Sequence, residues 1–295
     1  MLFTSYSSLT NSSPETDLMP YTLCHPAAII PFARQRLVLS ALVVGSLSPD
    51  FLYFINLDPD ALFGHTIAGV FLLCLPLGML VLWIFHALLK WPLLSLFPQA
   101  LQERLIEPAR GFFFWPVIRQ LLIASSILIG AFTHIFWDGF THEDGWAVSR
   151  LQFLSYPVID LSSQLIPVFM ILQHSSTVIG GGLLLLWFLQ WIKQAPREEV
   201  SKSLRRSARY KLFWGSLVLV GAATLGMLFS WWKIAQLSGE RGLSAWLECY
   251  IFSAHSGLFI ELVLFGIYWH FRGDLSVAGE GDFGLRKDKR GFCCK

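Results

Sequence analysis

The stretch Ile67–Leu89, IAGVFLLCLPLGMLVLWIFHALL, contains no Asp, Glu, Lys or Arg. A helix needs roughly 20 predominantly apolar residues to cross the hydrocarbon of a bilayer, so this segment reads as a clean span. Working outward, Leu121–Trp137 is a second span, entered after Arg119, whose long stem can carry its charge back to the interface. Leu212–Trp232 and Tyr250–Phe271 are two more. Val178–Ile192 is short, carries Gly180, Gly181 and Gly182 near its start, and can extend back through Leu161–Leu172. Leu37–Leu57 is apolar but interrupted by Ser48, Pro49 and Asp50. Proline removes a backbone donor, which predicts a broken or re-entrant helix there. The fold class expected is all-α: a polytopic transmembrane helical bundle of about five to seven membrane segments.

Composition points the same way. Of 295 residues, 54% are apolar and only 14% charged, and the mean hydropathy is +0.55. Soluble domains carry about 25% charged residues. The 12 Trp and 25 Phe suit interfacial and lipid-facing positions. A net charge of +2 gives no case for nucleic-acid binding. The five cysteines, Cys24, Cys74, Cys249, Cys293 and Cys294, form no C-x-x-C pair, so neither a zinc knuckle nor a disulfide framework is indicated.

The chain divides into five regions. Residues 1–18 are polar and rich in Ser and Thr, and lack the basic and apolar regions of a signal peptide. They read as a disordered extension or as preceding a natural start at Met19. Residues 19–192 form a membrane-embedded region holding the candidate site. Residues 193–211 are a basic loop with Lys193, Arg197, Lys202, Arg205, Arg206, Arg209 and Lys211. Residues 212–271 supply two further spans, and 272–295 a Gly-rich, then basic tail expected to be disordered. Within the second region, Pro92–Glu107 spaces its leucines as a short helix lying in the interface would.

The positive-inside rule makes the 193–211 loop cytoplasmic. Two spans follow it, so the tail with Arg286, Lys287, Lys289 and Arg290 is cytoplasmic too. Counting back, His65, His134, His142, His174 and His255 gather at the outer ends of spans, and His86 and His270 at inner ends. The expected location is a membrane crossed several times, with the 193–211 loop and the tail on its cytoplasmic side.

The strongest polar signal is THIFWDGFTHEDGW, Thr133–Trp146. His134, Asp138 and His142 are four residues apart, and each step of four on a helix turns only roughly 40°, which places all three on one stripe. Imidazole and carboxylate are the usual ligands for zinc, manganese or iron. Asp144 follows as ligand, orienter or base. Gly139 and Gly145 favour a helix end before His142, which would take it off the stripe. Interfacial polar residues at a helix end are the structural alternative. Three further motifs carry His or Asp: HPAA with His25, GSLSPDF with Asp50, and GHT with His65 before the long span. A carboxylate inside apolar sequence is a functional candidate, although Asp50 reads equally well as a helix N-cap. His174 in QHSS resembles His65 in setting. Glu261 lies mid-span and reads as a polar contact between helices ahead of a catalytic group.

In order, HPAA, SLSPDF, His65 and THIFWD resemble a bacterial family of multi-pass membrane proteins of unknown function, related to the membrane-bound metal-dependent hydrolases of the inner membrane. The same order is distantly similar to zinc-dependent phospholipase C. The resemblance covers about Met19 to Leu189. It implies His25, Asp50, His65, His134 and Asp138 as metal ligands, with His142, Asp144 and His174 in the narrower family's pattern. It implies a divalent metal, zinc first and manganese or iron as alternatives.

Three functions follow as expectations. The first is a metal-dependent hydrolase of an ester or phosphoester, with Asp50, Asp138 or Asp144 handling the water and a site near the outer face. Its location suggests membrane lipid as a partner and a small-molecule or lipid-linked substrate. The second is a non-catalytic membrane protein in which a metal or polar cluster clamps helices together. The third is a transporter, which would distribute polar residues through the midplane of several spans.

Overall fold

The computed structural model describes residues 22–56, 62–161, 164–202, 204–236 and 243–272. The expected extension at 1–18, and all but the first residue of the 272–295 tail, lie outside the described residues. The protein is helical, with six helices long and apolar enough to cross a membrane. In chain order these are Leu39–Asn56, Ile67–Leu96, Val117–Thr141, Val168–Gln194, Ala208–Gln236 and Leu243–Phe271, hereafter the first to sixth spans. A 3₁₀ segment, Thr22–Phe32, precedes them and carries Pro26 and Pro31.

The first span is broken where Pro49 predicts it. A 3₁₀ turn, Ser48–Asp50, separates the α-helical stretches Leu39–Leu47 and Phe51–Asn56. The second span is helical throughout but contains two π turns, Val70–Cys74 and Phe85–Leu89. Pro76 and Pro92 follow them, and each lacks the N–H that would close an ordinary helical turn. Pro92 frees the carbonyl of Leu88, four residues earlier. His270 Nε2 of the sixth span donates to that oxygen at 3.1 Å. His86 is likewise accounted for by packing: its ring stacks on Phe112 at 3.3 Å and its Nε2 lies 3.0 Å from Ser40 Oγ.

Two features differ from expectation. The interfacial helix expected over Pro92–Glu107 is divided: residues to Leu96 continue the second span, and a separate helix runs Gln99–Arg110. Phe97 is extended because it precedes Pro98, and that proline then opens the new helix. The fourth span begins at Val168, so it does not reach back to Leu161. Instead Pro157–Leu161 and Gln164–Pro167 form an antiparallel two-stranded hairpin, with Ile159 opposite Ile166. β-Branched residues bounded by prolines suit a short ribbon better than a helix.

At one end of the bundle the basic loop packs against the Gln99–Arg110 helix. Val200 and Leu204 of the loop are buried with Trp91, Ile106, Phe265 and Trp269. Gln102 ties the region together, its Nε2 donating to the carbonyls of Leu94 (2.9 Å), Ser95 (3.3 Å) and Leu204 (3.2 Å). Arg104 Nε reaches the Ile192 carbonyl at 2.8 Å, and Lys211 Nζ the Phe97 carbonyl at 2.6 Å.

The first and third spans cross with their backbones in contact, and two glycines permit it. A Cβ on Gly45 would strike the Ile127 carbonyl, and one on Gly130 would strike the Leu42 carbonyl and lie 2.6 Å from the Ser46 amide nitrogen. Ala41, Leu82, Ile123 and Ile127 fill the core beside this crossing. The fifth and sixth spans pack along each other, and the Glu261 carboxylate occupies the space that Gly221 leaves.

Candidate metal centre

Each candidate ligand is placed by a local feature of its own motif. In GHT, a Cβ on Gly64 would strike the Pro49 carbonyl, so only glycine allows this loop to press against the turn that carries Asp50. Thr66 caps the second span, its Oγ1 accepting from the Gly69 amide at 2.9 Å. His65 is held between these two fixed points. In SLSPDF, Ser48 Oγ donates to the Gly45 carbonyl at 2.7 Å, and the 3₁₀ turn then presents Asp50. His134 and Asp138 share a face of the third span, four residues apart. His25 comes from the N-terminal 3₁₀ segment, its ring stacked on that of His134 with centroids 3.7 Å apart.

These five side chains converge. His65 Nε2 lies 3.2 Å from Asp50 Oδ1 and 3.3 Å from Asp138 Oδ2. His134 Nε2 lies 3.4 Å from Asp50 Oδ1 and 2.9 Å from Asp138 Oδ2. His25 Nε2 is 3.7 Å from Asp138 Oδ1. Two overlapping sets, His25 with His134 and Asp138, and Asp50 with His65 and His134, are compact enough to hold a metal ion. Bonds of about 2.0–2.1 Å to a tetrahedral zinc put neighbouring ligand atoms roughly 3.3–3.4 Å apart, which is the spacing seen around Asp50.

The hydrogen bond on the far side of His134 sharpens the argument. Its Nδ1 lies 2.7 Å from the Ser46 carbonyl oxygen, which can only accept, so Nδ1 carries a hydrogen. Nε2 then either carries a second hydrogen, giving an imidazolium between two carboxylates, or is a lone pair facing two carboxylate oxygens. The lone-pair form repels unless a positive charge sits among the three atoms. His134 is fully buried, and neither its Nε2 nor Asp138 Oδ1 has a hydrogen-bond partner within the protein. In that form a metal ion would supply the charge and take the orphaned atoms as ligands.

Outside the spans, burial and the neighbouring carboxylates act on the two imidazoles in opposite directions. Burial, the largest cause, pushes the His25 imidazole down to about 4, so the ring is neutral near pH 7 with a lone pair to donate. Burial alone would lower His65 as well, but the carboxylates of Asp138 and Asp50 overcome it and hold His65 above its ordinary value. Tyr53 stacks against His65 at 5.5 Å between centroids, with its hydroxyl 3.4 Å from Nδ1.

The remaining candidates are placed elsewhere. The third span ends at Thr141, so His142 leaves the helical stripe and sits at the rim, Nδ1 3.8 Å from Asp138 Oδ1. Asp144 is exposed on the turn that follows, and His174 is exposed on the fourth span. Neither belongs to a ligand set among the described residues. His255 bonds its own helix, Nδ1 to the Ile251 carbonyl at 2.6 Å, and packs beside Phe54. Two contributors were not read from the sequence. The Ser46 carbonyl had no signal to find. Tyr53 had one, since it lies a helical step of three beyond Asp50.

Fold and site together define a multi-pass helical protein of membrane type with a buried His/Asp cluster suited to a metal ion. The family described as a domain of unknown function (DUF4184) matches residues 19–267, and the chain belongs to that family. No curated protein and no solved structure matches it.

Proposed function

We propose that the protein is a membrane-bound metal-dependent hydrolase acting on an ester or phosphoester. The observation that carries this reading is the His134 imidazole, fixed by the Ser46 carbonyl so that its Nε2 points between two carboxylates. His25, Asp50, His65, His134 and Asp138 are the proposed ligands of a divalent cation, zinc first and manganese or iron next. When bound, such an ion would polarise the scissile group and bring a water toward hydroxide near neutral pH. Asp138 Oδ1, buried and without a hydrogen-bond partner, is the proposed acceptor of that water's proton. Hydrolysis joins the water oxygen to the acyl carbon or phosphorus, breaks the bond to the leaving oxygen, and returns the proton to it. Half-buried His142, at the rim, is placed to relay that proton. Asp144 has no part in this scheme, because it stands on the exposed turn.

The chain is proposed to reside in a bacterial inner membrane with the 193–211 loop cytoplasmic. The loop packs against Gln99–Arg110, beyond the far end of the second span from His65. Placing the basic loop inside therefore puts the centre toward the outer face.

The test is metal analysis of the purified protein, followed by turnover of chromogenic carboxyl and phosphate esters with and without chelation. The reading expects a stoichiometric transition metal and chelator-sensitive hydrolysis that Asp138→Asn abolishes. Protein that is folded yet binds neither zinc nor manganese would sink it. Because the ligands come from four separated segments, a purely structural clamp is the second reading. It is favoured if chelation lowers the melting temperature but no ester is ever turned over.

A further inference from the structure

A cavity of about 300 Å³ adjoins the centre, between the N-terminal 3₁₀ segment, the third span and the fourth span. We infer that this cavity receives one hydrocarbon chain of the substrate, so that the substrate is a lipid ester or phosphoester whose scissile group lies at His25. This rests on the hydrolase reading above and names its substrate class.

The cavity's walls carry the argument. Ala27, Ala28, Trp137, Leu172, Ile179 and Leu183 supply apolar surface. The hydroxyls that also line it are already committed to their own helix. Ser175 donates to the Leu172 carbonyl at 3.2 Å, Ser176 to the Gln173 carbonyl at 2.8 Å, and Thr177 to the same carbonyl at 3.4 Å. Cys24 Sγ donates to the Thr177 carbonyl at 3.1 Å. A polar occupant would therefore find few free partners, whereas an alkyl chain needs none. The volume stands at the low end of the roughly 300–1,000 Å³ of small-molecule sites, which suits one chain better than a ring system or a pair of chains.

The way in and the far wall are also defined. Trp137, Ile179 and Leu183 are 38%, 60% and 49% exposed on helices that face lipid in a membrane, so a chain can enter sideways from the bilayer. At the inner wall stands His25, whose Nε2 faces Asp138 while its Nδ1, buried, has no hydrogen-bond partner. It is the one ionisable imidazole among the lining residues. The cavity exists because the lining is small where the elements meet. Gly180 lets the fourth span approach the N-terminal segment, since a Cβ there would lie 3.2 Å from the Cys24 carbonyl oxygen. The HPAA motif thus does two jobs: His25 reaches the cluster, and Ala27 and Ala28 keep the adjoining space open.

The test uses the full-length protein in vesicles with a long-chain fatty acid bearing a diazirine at its terminal end. Photolabelling should map to residues 24–28 and 172–183, saturate, and be competed by unmodified fatty acid. Ala28→Trp should abolish labelling at this site while metal content stays at the wild-type level. Leu183→Trp, at the rim, provides the same readout should Ala28→Trp fail to fold. Labelling spread over all six spans without competition would overturn the inference, as would saturable labelling unchanged in both folded variants. Metal content measured on the same samples separates the two readings. Competed cavity labelling on protein that binds no metal leaves the chain site standing and removes the hydrolase. Stoichiometric metal without cavity labelling does the reverse.

Discussion

Pro92 and His270 show how a single residue's chemistry sets up another. Proline cannot close the helix on Leu88, and a carbonyl left bare in an apolar environment is expensive, so the sixth span supplies an imidazole N–H. His270→Leu is expected to cost about 1–3 kcal/mol by stranding that oxygen. Thermal unfolding in detergent checks it, and unchanged stability would show that another donor replaces the ring. Near the centre, Tyr53→Phe removes the hydroxyl beside His65 Nδ1. Partners that orient a ligating histidine are typically worth 10–100-fold in metal affinity, so zinc should bind about tenfold more weakly to a protein of unchanged melting temperature. Competition against a chromophoric chelator measures this directly. Much of this scale was legible: His134 and Asp138 stood out by their spacing, the family resemblance added His25, Asp50 and His65, and the fold brings the five together. Asp144, in the motif of His134 and Asp138, and His174, in QHSS, lie on exposed surface, because a motif does not state which way a turn or helix face is directed.

Among elements, the crossing of the first and third spans decides whether the centre forms. Gly45 and Gly130 allow backbone contact, and that contact brings the Ser46 carbonyl to His134. Gly130→Val should force the spans apart, costing about 1–3 kcal/mol or more and lowering metal occupancy together with stability. Metal analysis and melting temperature on the same preparation test the coupling; a destabilised variant with full occupancy would refute it. The spans were visible in sequence because hydropathy is a local property. The π turns follow from Pro76 and Pro92 only in hindsight, and the hairpin at residues 157–167 was obscured because its apolar residues run on into those of the fourth span. Short apolar runs do not distinguish strand from helix by periodicity alone.

For the molecule as a whole, the question is direction across the membrane. The basic loop and the Gln99–Arg110 helix form one packed end, locked by Gln102. The His/Asp cluster lies toward the other, where the second span begins and the third ends. In a background lacking the native cysteines, Lys202→Cys should react with a membrane-impermeant maleimide only from the cytoplasmic side. Asp144→Cys should react only from the outside. The reverse pattern would place the centre inside and redirect the search for a substrate to the cytoplasm. No residue pattern could have foretold the cavity beside His25, since its walls come from three elements that are neighbours only after folding.

The five ligand side chains also make a statement about ionic charge. With all three imidazoles neutral, as metal ligation requires, the two carboxylates carry a formal charge of two negative units, and most of that charge is enclosed by protein. A divalent cation brings the enclosure to electroneutrality. A monovalent ion leaves one unit uncompensated and a trivalent ion leaves one in excess, each costing several kcal/mol in surroundings that solvate charge poorly. For an ion held by all five groups, valence would therefore act as a filter beside ligand softness and ionic radius, sharper in poorly solvating surroundings than for the same five groups in water. Replacing Asp50 by Asn halves the enclosed charge and should weaken the discrimination between divalent and monovalent cations.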